Sequence, residues 1–354
     1  MSTLRRRGVV ALIILSGLSL LLMGFRLYSG SMTSSAAQSG NDTRIVALND
    51  YQVSVFARGT SSYTHPDSIV VDADEDRVYV GYQNNTLPDG SDHKPSTIVE
   101  YTVQGKVVQT FSILGHNDGL RIDPATDLLW ATVNEDANPM LYVIDPTTGK
   151  INSYTFPPAP HGGGYDDLAF AHGKVFIAAS NPTLNSAGIN TAPAVDEIRL
   201  SGSTVVLTPV LMGNATALDT TTNQKVTLNL IDPDSLSVDL AGDIVLANQA
   251  GAQLVFLHNP GTANQTVTTI PLGTQVDDTV WASAVEGRLF VVDGTYNAIY
   301  TMRTNFIYGK VYTEAPNDSG VASFVGTVDL KTGTITPVAI GFGKPTGLYF
   351  VPDA

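Results

Sequence analysis

Apolar positions in this chain come in short alternating runs, and one loop, strand, turn, strand unit recurs from residue 65 to the C-terminus. In its second copy, residues 116–132, Leu120 and Ile122 are the apolar set of one strand, Asp123 to Asp127 make a tight turn, and Leu128 to Thr132 form the next strand. Alternation at period two predicts half-buried strands, and the Asp, Pro and Gly between them predict turns. Related copies occupy residues 65–81, 164–180, 232–248 and 276–292, each read as a paired first and second strand, and a sixth begins at Lys344. Two further runs follow a copy, as in Met140 to Ile144 and Ile151 to Phe156 around the turn Asp145 to Gly149. That makes four strands per unit.

Short strands repeating every 40 to 50 residues or so mark stacked four-stranded blades. The expected fold is therefore all-β, a β-propeller of six blades. Seven is the alternative count, because Gly309 to Thr313 resembles the second strand Gly173 to Ile177 without a good first strand before it. A chain ending on a lone first strand leaves an open edge. The run Tyr51 to Ala57, in which Val53, Val55 and Ala57 alternate with polar neighbours, is the N-terminal strand expected to close that last blade. The insertion Gly213 to Asp232 predicts a small hairpin, Ala215 to Leu218 with Lys225 to Leu230.

The first thirty residues follow a different pattern. Arg5, Arg6 and Arg7 precede an apolar run from Gly8 to Phe25, a positive region followed by a hydrophobic one, as in an export signal or a membrane anchor. Both readings stay open, with Ser34 to Ala37 as a candidate cleavage region. Residues 1–30 are thus read as a signal or anchor, 31–42 as a tether and 43–354 as the propeller, placed outside the cytoplasm, periplasmic or secreted. No cysteine is present, which removes disulfides, thiolate metal sites and cysteine nucleophiles. Residues 1–30 hold no acid, so the remainder carries 15 basic against 33 acidic residues. Such a surface repels nucleic acid and anionic lipid. It suits small neutral or cationic ligands, or a partner protein, with membrane contact confined to the N-terminal segment.

In an up-and-down blade, the loops entering each first strand share a face with the long loops 83–96, 181–193 and 213–232, where binding residues concentrate. Asp67, Asp118, Asp166, Asp234 and Asp278 occupy equivalent positions in those entering loops, flanked by His116, Asn117, Tyr165, Asp167 and Asp277. Carboxylates converging on one channel repel unless a cation neutralises them. Oxygen ligands favour calcium, with magnesium, manganese or zinc as alternatives. The competing role for each Asp is to accept backbone N–H groups in the turn entering its strand. No nucleophile elbow, phosphate loop or dinucleotide fingerprint occurs, so no catalytic residue is named.

At residues 116–130, 164–170 and 232–239 the chain resembles six-bladed propellers of the senescence-marker-protein, gluconolactonase and luciferin-regenerating-enzyme group. In that group a divalent cation held by Glu, Asn and Asp polarises a lactone carbonyl. The resemblance implies Asp67, Asn117, Asp166 and Asp234 as metal ligands, with His116, Asp118, Tyr165, Asp167, Asp277 and Asp278 lining the channel. It departs from the family at Asp166, where the family has Asn, at Asp67, where it has Glu, and at Gly115, where it has a substrate-contacting Arg. Two functions follow: a cation-dependent hydrolase of a lactone or related ester, or a non-catalytic propeller binding a ligand or partner through its long-loop face.

Overall fold

A computed structural model describes residues 42–353. The expected export segment, and the tether up to residue 41, lie outside these residues. The described residues contain no helix and 27 strands. In chain order these are β1 (Val46–Ala47), β2 (Gln52–Arg58), β3 (Pro66–Asp72), β4 (Arg77–Tyr82), β5 (Pro95–Thr102), β6 (Val107–Leu114), β7 (Asn117–Ile122), β8 (Leu129–Val133) and β9 (Met140–Asp145). Next come β10 (Lys150–Thr155), β11 (Leu168–Ala171), β12 (Lys174–Ala178), β13 (Pro193–Ser201), β14 (Thr204–Met212), β15 (Thr216–Asp219), β16 (Gln224–Thr227), β17 (Pro233–Val238) and β18 (Ile244–Asn248). The last are β19 (Gln253–His258), β20 (Thr266–Pro271), β21 (Thr279–Trp281), β22 (Gly287–Asp293), β23 (Ala298–Arg303), β24 (Val311–Ala315), β25 (Phe324–Val328), β26 (Ile335–Ile340) and β27 (Pro345–Pro352).

Strands β3 to β6, β7 to β10, β11 to β14 and β17 to β20 each form an antiparallel group of four in chain order. The second and third groups join edge to edge through one parallel bridge, Thr155 to Thr204. The expected hairpin is β15–β16, and it pairs parallel to the outer strand β20. Innermost strands touch in the order β27, β3, β7, β11, β17, β21 and back to β27. The ring is closed, and the molecule is a β-propeller.

Alternation sets the packing between groups. Ile69, Val71, Val78 and Val80 face the group that contains Phe290 and Ile299, while Val70 and Tyr79 face Leu120, Leu129 and Ala131 of the next group. Because side chains alternate between faces, both faces of these strands are covered, and each buried Val or Ile contributes roughly 1.5–3 kcal/mol relative to an exposed one.

The last two groups correct the expected pairing. Residues 276–292 do not form a first-and-second-strand hairpin: β21 pairs with β24, whereas β22 pairs with β27 and β23. The chain leaves one group after its inner strand, supplies a hairpin to the next, and returns. Gly309 to Thr313, the run that suggested a seventh blade, leads into β24 and supplies the partner β21 lacks. The outer strand beside β23 is β2, with Val53 opposite Met302 and Val55 opposite Tyr300. N- and C-terminal strands thus share one sheet, β2-β23-β22-β27, as the alternation of residues 51–57 suggests.

Candidate metal centre in the loop-end cavity

At the loop end of the ring lies a cavity of about 380 Å³ whose wall carries Asp67, His116, Asp118, Asp166, Asp167, Asp234, Asp277 and Asp278. All eight are residues anticipated from the entering loops. Asn117 and Tyr165 are not on the wall. Asn117 is fully buried and donates its amide to the carbonyls of Gly119 (3.2 Å) and Thr132 (2.9 Å). Tyr165 is buried between Phe156, stacked at 4.6 Å, and His161. The wall adds residues the repeats did not mark: Glu135, Asp318, Arg121 and Lys344. Nine carboxyl groups then face one guanidinium and one ammonium.

His116, Asp118 and Glu135 each place a ligand atom within 4.8 Å of the others. His116, immediately before β7, and Asp118, within it, are two apart in extended chain, so alternation points both to one side. The Thr86 hydroxyl donates to the Gln83 carbonyl (2.7 Å), and it lies 2.8 Å from His116 Nδ1. With that proton committed, Nδ1 must donate, to Thr86 Oγ1 or to the Thr86 carbonyl at 2.9 Å, and Nε2 keeps its lone pair. Burial lowers the His116 pKa to about 4, so the ring is neutral at pH 7. Nε2 faces Asp118 Oδ1 at 3.4 Å. Gln83 donates to that oxygen (3.2 Å), whereas Asp118 Oδ2 is buried with no hydrogen-bond partner among the described residues.

Glu135 reaches the same point from the loop after β8. Asn134 takes φ 68°, a left-handed conformation that Asn tolerates, and its side chain accepts from His116 N–H (2.9 Å). Gly164 N–H donates to the Glu135 carbonyl (2.9 Å). A Cβ at Gly164 would lie 2.1 Å from the Asn134 carbonyl oxygen, so only glycine permits this approach. The same Asn device recurs at Asn84 and Asn248, which accept from Thr64 and Asp232 N–H groups.

Burial dominates the electrostatics of the wall. It raises Asp118, Asp166, Asp234 and Asp277 well above the usual carboxylate range, and neighbouring acids add to the rise. Asp67 is pushed to about 8 by burial and then by Glu135, and Glu135 itself to about 7. Without a cation, these groups avoid repulsion by holding protons. Ser235 Oγ links Asp277 (2.5 Å) and Asp234 (3.2 Å).

Burial raises the floor acids Asp167 and Asp278 as well, Asp167 to about 7, but there Arg121 and backbone N–H groups pull them back. Arg121 pairs with Asp167, donates to the Leu236 and Leu120 carbonyls (both 3.0 Å), and lies 3.7 Å from Asp278. Asp167 also accepts from Leu236 N–H (3.1 Å), and Asp278 from Leu348 N–H (2.8 Å). Each carboxylate thereby ties its own inner strand to the next one in the ring. Below the floor a second cavity, of about 360 Å³, is lined by apolar side chains including Phe170, Trp281 and Tyr349, and Arg121 and Asp278 border both. They form the partition between the two cavities.

The donor set of the upper cavity fits a divalent ion: one neutral imidazole with a fixed lone pair, two carboxyl groups, and a buried oxygen without a donor. No family model and no curated protein matches this sequence. Solved structures that match include the periplasmic gluconolactonase of Pseudomonas aeruginosa, at 12% identity and TM-score 0.47, covering 81% of this chain and 88% of that one. A protein assigned as a 6-phosphogluconolactonase from Bacteroides uniformis matches at 11% identity and TM-score 0.47, covering 83% and 90%. A streptogramin B lyase matches at 10% identity and TM-score 0.43, covering 74% and 94%. Likenesses this distant leave function to be argued from the side chains.

Proposed function

We propose that the loop-end cavity is a divalent-cation site of a hydrolase acting on a lactone or related ester. The observation that carries the reading is the meeting of buried His116 Nε2 and buried Asp118 with half-buried Glu135, in which Asp118 Oδ2 has no hydrogen-bond donor among the described residues. When bound, a divalent ion supplies Lewis-acid polarisation of a carbonyl and a more acidic water. His116, Asp118 and Glu135 hold it, and Thr86 keeps His116 in the tautomer that can ligate. Asp166, beside Glu135 on the wall, takes the place of an outer carboxylate. With a cation bound and one of the pair ionised, Asp234 and Asp277, joined through Ser235, would accept the proton of an attacking water and pass it to the leaving alcohol. The acid excess favours a neutral or cationic substrate over an anionic one. Calcium suits the oxygen ligands, and the imidazole admits manganese or zinc.

Calcium or manganese should raise the melting temperature of the protein, and Glu135→Gln should remove most of that rise. Hydrolysis of simple lactones should fail in Glu135→Gln and in chelator. An equal cation response in wild type and Glu135→Gln would sink the centre. A normal response without hydrolysis of any lactone or ester would favour the second reading, a binding propeller. Exposed apolar side chains on three long loops, Leu87, Leu184 and Val321, speak for that alternative. Export completes the proposal and rests on Arg5 to Arg7 and the following apolar run. A fusion of residues 1–30 to a reporter that stays in the cytoplasm would contradict it.

A further inference from the structure

The cavity below the floor has the reverse chemistry of the one above it. All six inner strands line it, through Val70 of β3, Ile122 of β7, Phe170 of β11, Val238 of β17, Trp281 of β21 and Tyr349 of β27. Walls of this kind give water few partners. The roof is polar, because Arg121 and Asp278 border the cavity. The bonds from Arg121 to Leu120, Leu236 and Asp167 use three of the five N–H donors of a guanidinium, so donors remain for an acceptor arriving from below. At the mouth, Val238 and Leu240 are themselves exposed, and Ile307 and Tyr308, at 68% and 65%, are the most exposed large apolar side chains among the described residues. The turn that carries Ile307 and Tyr308 is pinned beside this mouth: Gly309 N–H donates to the Ala282 carbonyl (2.8 Å), Ala282 N–H to the Lys310 carbonyl (2.9 Å), and a Cβ at Gly309 would lie 3.9 Å from Leu240 Cδ1. An apolar patch thus continues into the cavity, and such patches mark binding sites.

We propose that the lower cavity binds a small neutral molecule with an apolar, ring-sized body and one acceptor oxygen, which enters from the turn end and meets Arg121 at the roof. Size sets the first requirement: about 360 Å³ lies at the lower end of the range of roughly 300–1,000 Å³ that small-ligand sites occupy. Phe170, Trp281 and Tyr349 suit a ring, since aromatic groups pack edge to face or offset. Charge sets the second requirement. An anion entering this cavity meets the Asp278 carboxyl, with Asp167 behind the guanidinium, and a cation meets the guanidinium itself. Either charge would be buried without a free counter-charge, a cost that a neutral acceptor avoids. The site is separate from the proposed cation centre at His116, Asp118 and Glu135 and does not rest on it.

Calorimetric titration of the full chain with acetophenone tests this, with benzoate and benzylammonium as charged probes built on the same ring. One saturable site is expected for acetophenone, with about tenfold weaker binding of the two charged probes. Val238→Trp and Leu240→Trp, which fill the mouth from part-exposed positions, should each abolish acetophenone binding. Glu135→Gln, in the upper cavity, should bind acetophenone as the wild type does. No saturable binding, equal affinity for the three probes, or binding that survives both mouth substitutions would overturn the site. Loss of binding in Glu135→Gln would also overturn it, by placing the probe in the upper cavity. Melting curves establish that each variant is folded, and Leu240→Trp decides the matter if Val238→Trp is not.

Discussion

Aspartates at the two ends of the propeller behave in opposite ways. At the turn end, Asp72, Asp123, Asp145, Asp239 and Asp329 each accept from the N–H group two residues on. These are solvated turns in which the charged form is the one hydrogen-bonded, and Asp145 is held below the usual carboxylate value by Thr148 hydroxyl and backbone donors. At the loop end, Asp67, Asp118, Glu135, Asp166, Asp234 and Asp277 crowd together, buried or half-buried, short of donors, and raised. One residue type thus performs two tasks, and the count of available donors tells them apart. The floor pair, Asp167 and Asp278, stands between the extremes: buried and raised like the wall acids, Asp167 to about 7, but supplied with a guanidinium and backbone N–H groups that lower them.

The floor gives the largest expected effect. Arg121→Met leaves Asp167 and Asp278 buried without their cation, and breaking a buried pair from one side costs about 3–5 kcal/mol. Chemical denaturation at pH 7 should register a loss of that order. A loss below about 1 kcal/mol would mean that the floor carboxyls are protonated, as the wall acids are, and the distinction between floor and wall would fail.

Titration sharpens the contrast next. A carboxyl whose folded pKa lies above its unfolded one binds more protons when folded, so stability falls as pH rises between the two values. For Glu135, raised to about 7, and Asp67, raised to about 8, the window opens at the ordinary values of about 4 and closes near 8. Metal-free protein should be more stable at pH 5 than at pH 8. A saturating divalent ion should flatten or invert that slope by binding the ionised wall, and an ion at a hundred times its Kd adds about 2.7 kcal/mol. Asp145→Asn, at the turn end, should leave the slope and the cation response unchanged. Metal-free stability that rises from pH 5 to pH 8 would refute the account of the wall.

Much of this architecture was legible because it is repetitive. Six copies of one unit gave the propeller, the alternation of residues 51–57 placed β2 in the sheet of β27, and the loop face was located by its long insertions. Pairing of β21 and β22 was not legible. Apolar alternation specifies that a segment is a strand but not which strand it pairs with, so the contiguous residues 276–292 imitate a hairpin that the ring divides between two groups. Arg121, Lys344 and Asp318 were missed for a related reason. Each is a single residue with no counterpart in the other copies, and only closure of the ring brings it to the cavity. Glu135 had a usable signal, since it directly follows Asn134 of the repeated Asn84, Asn134 and Asn248 device, where the other two copies continue with Asn85 and Gln249.

The smallest expected change in cation response belongs to Asn117, which the family resemblance names as a ligand. Its neighbours His116 and Asp118 reach the cavity, and strand alternation therefore sends the side chain between them to the opposite side. There its amide donates to the Gly119 and Thr132 carbonyls, holding the irregular start of β7, where the pairing with β8 shifts between Asn117 and Leu120. Asn117→Ala removes those donors from buried carbonyls and should cost about 1–3 kcal/mol in the absence of metal. The added stability from calcium should nevertheless match that of the wild type, since the variant leaves Nε2 of His116 and both carboxyl groups in place. Melting curves with and without calcium for Asn117→Ala and Asp118→Asn separate the two possibilities. Loss of the calcium increment in the first variant and its retention in the second would move the ligand from the alternate residues of β7 to Asn117, and with it the centre proposed for the cavity.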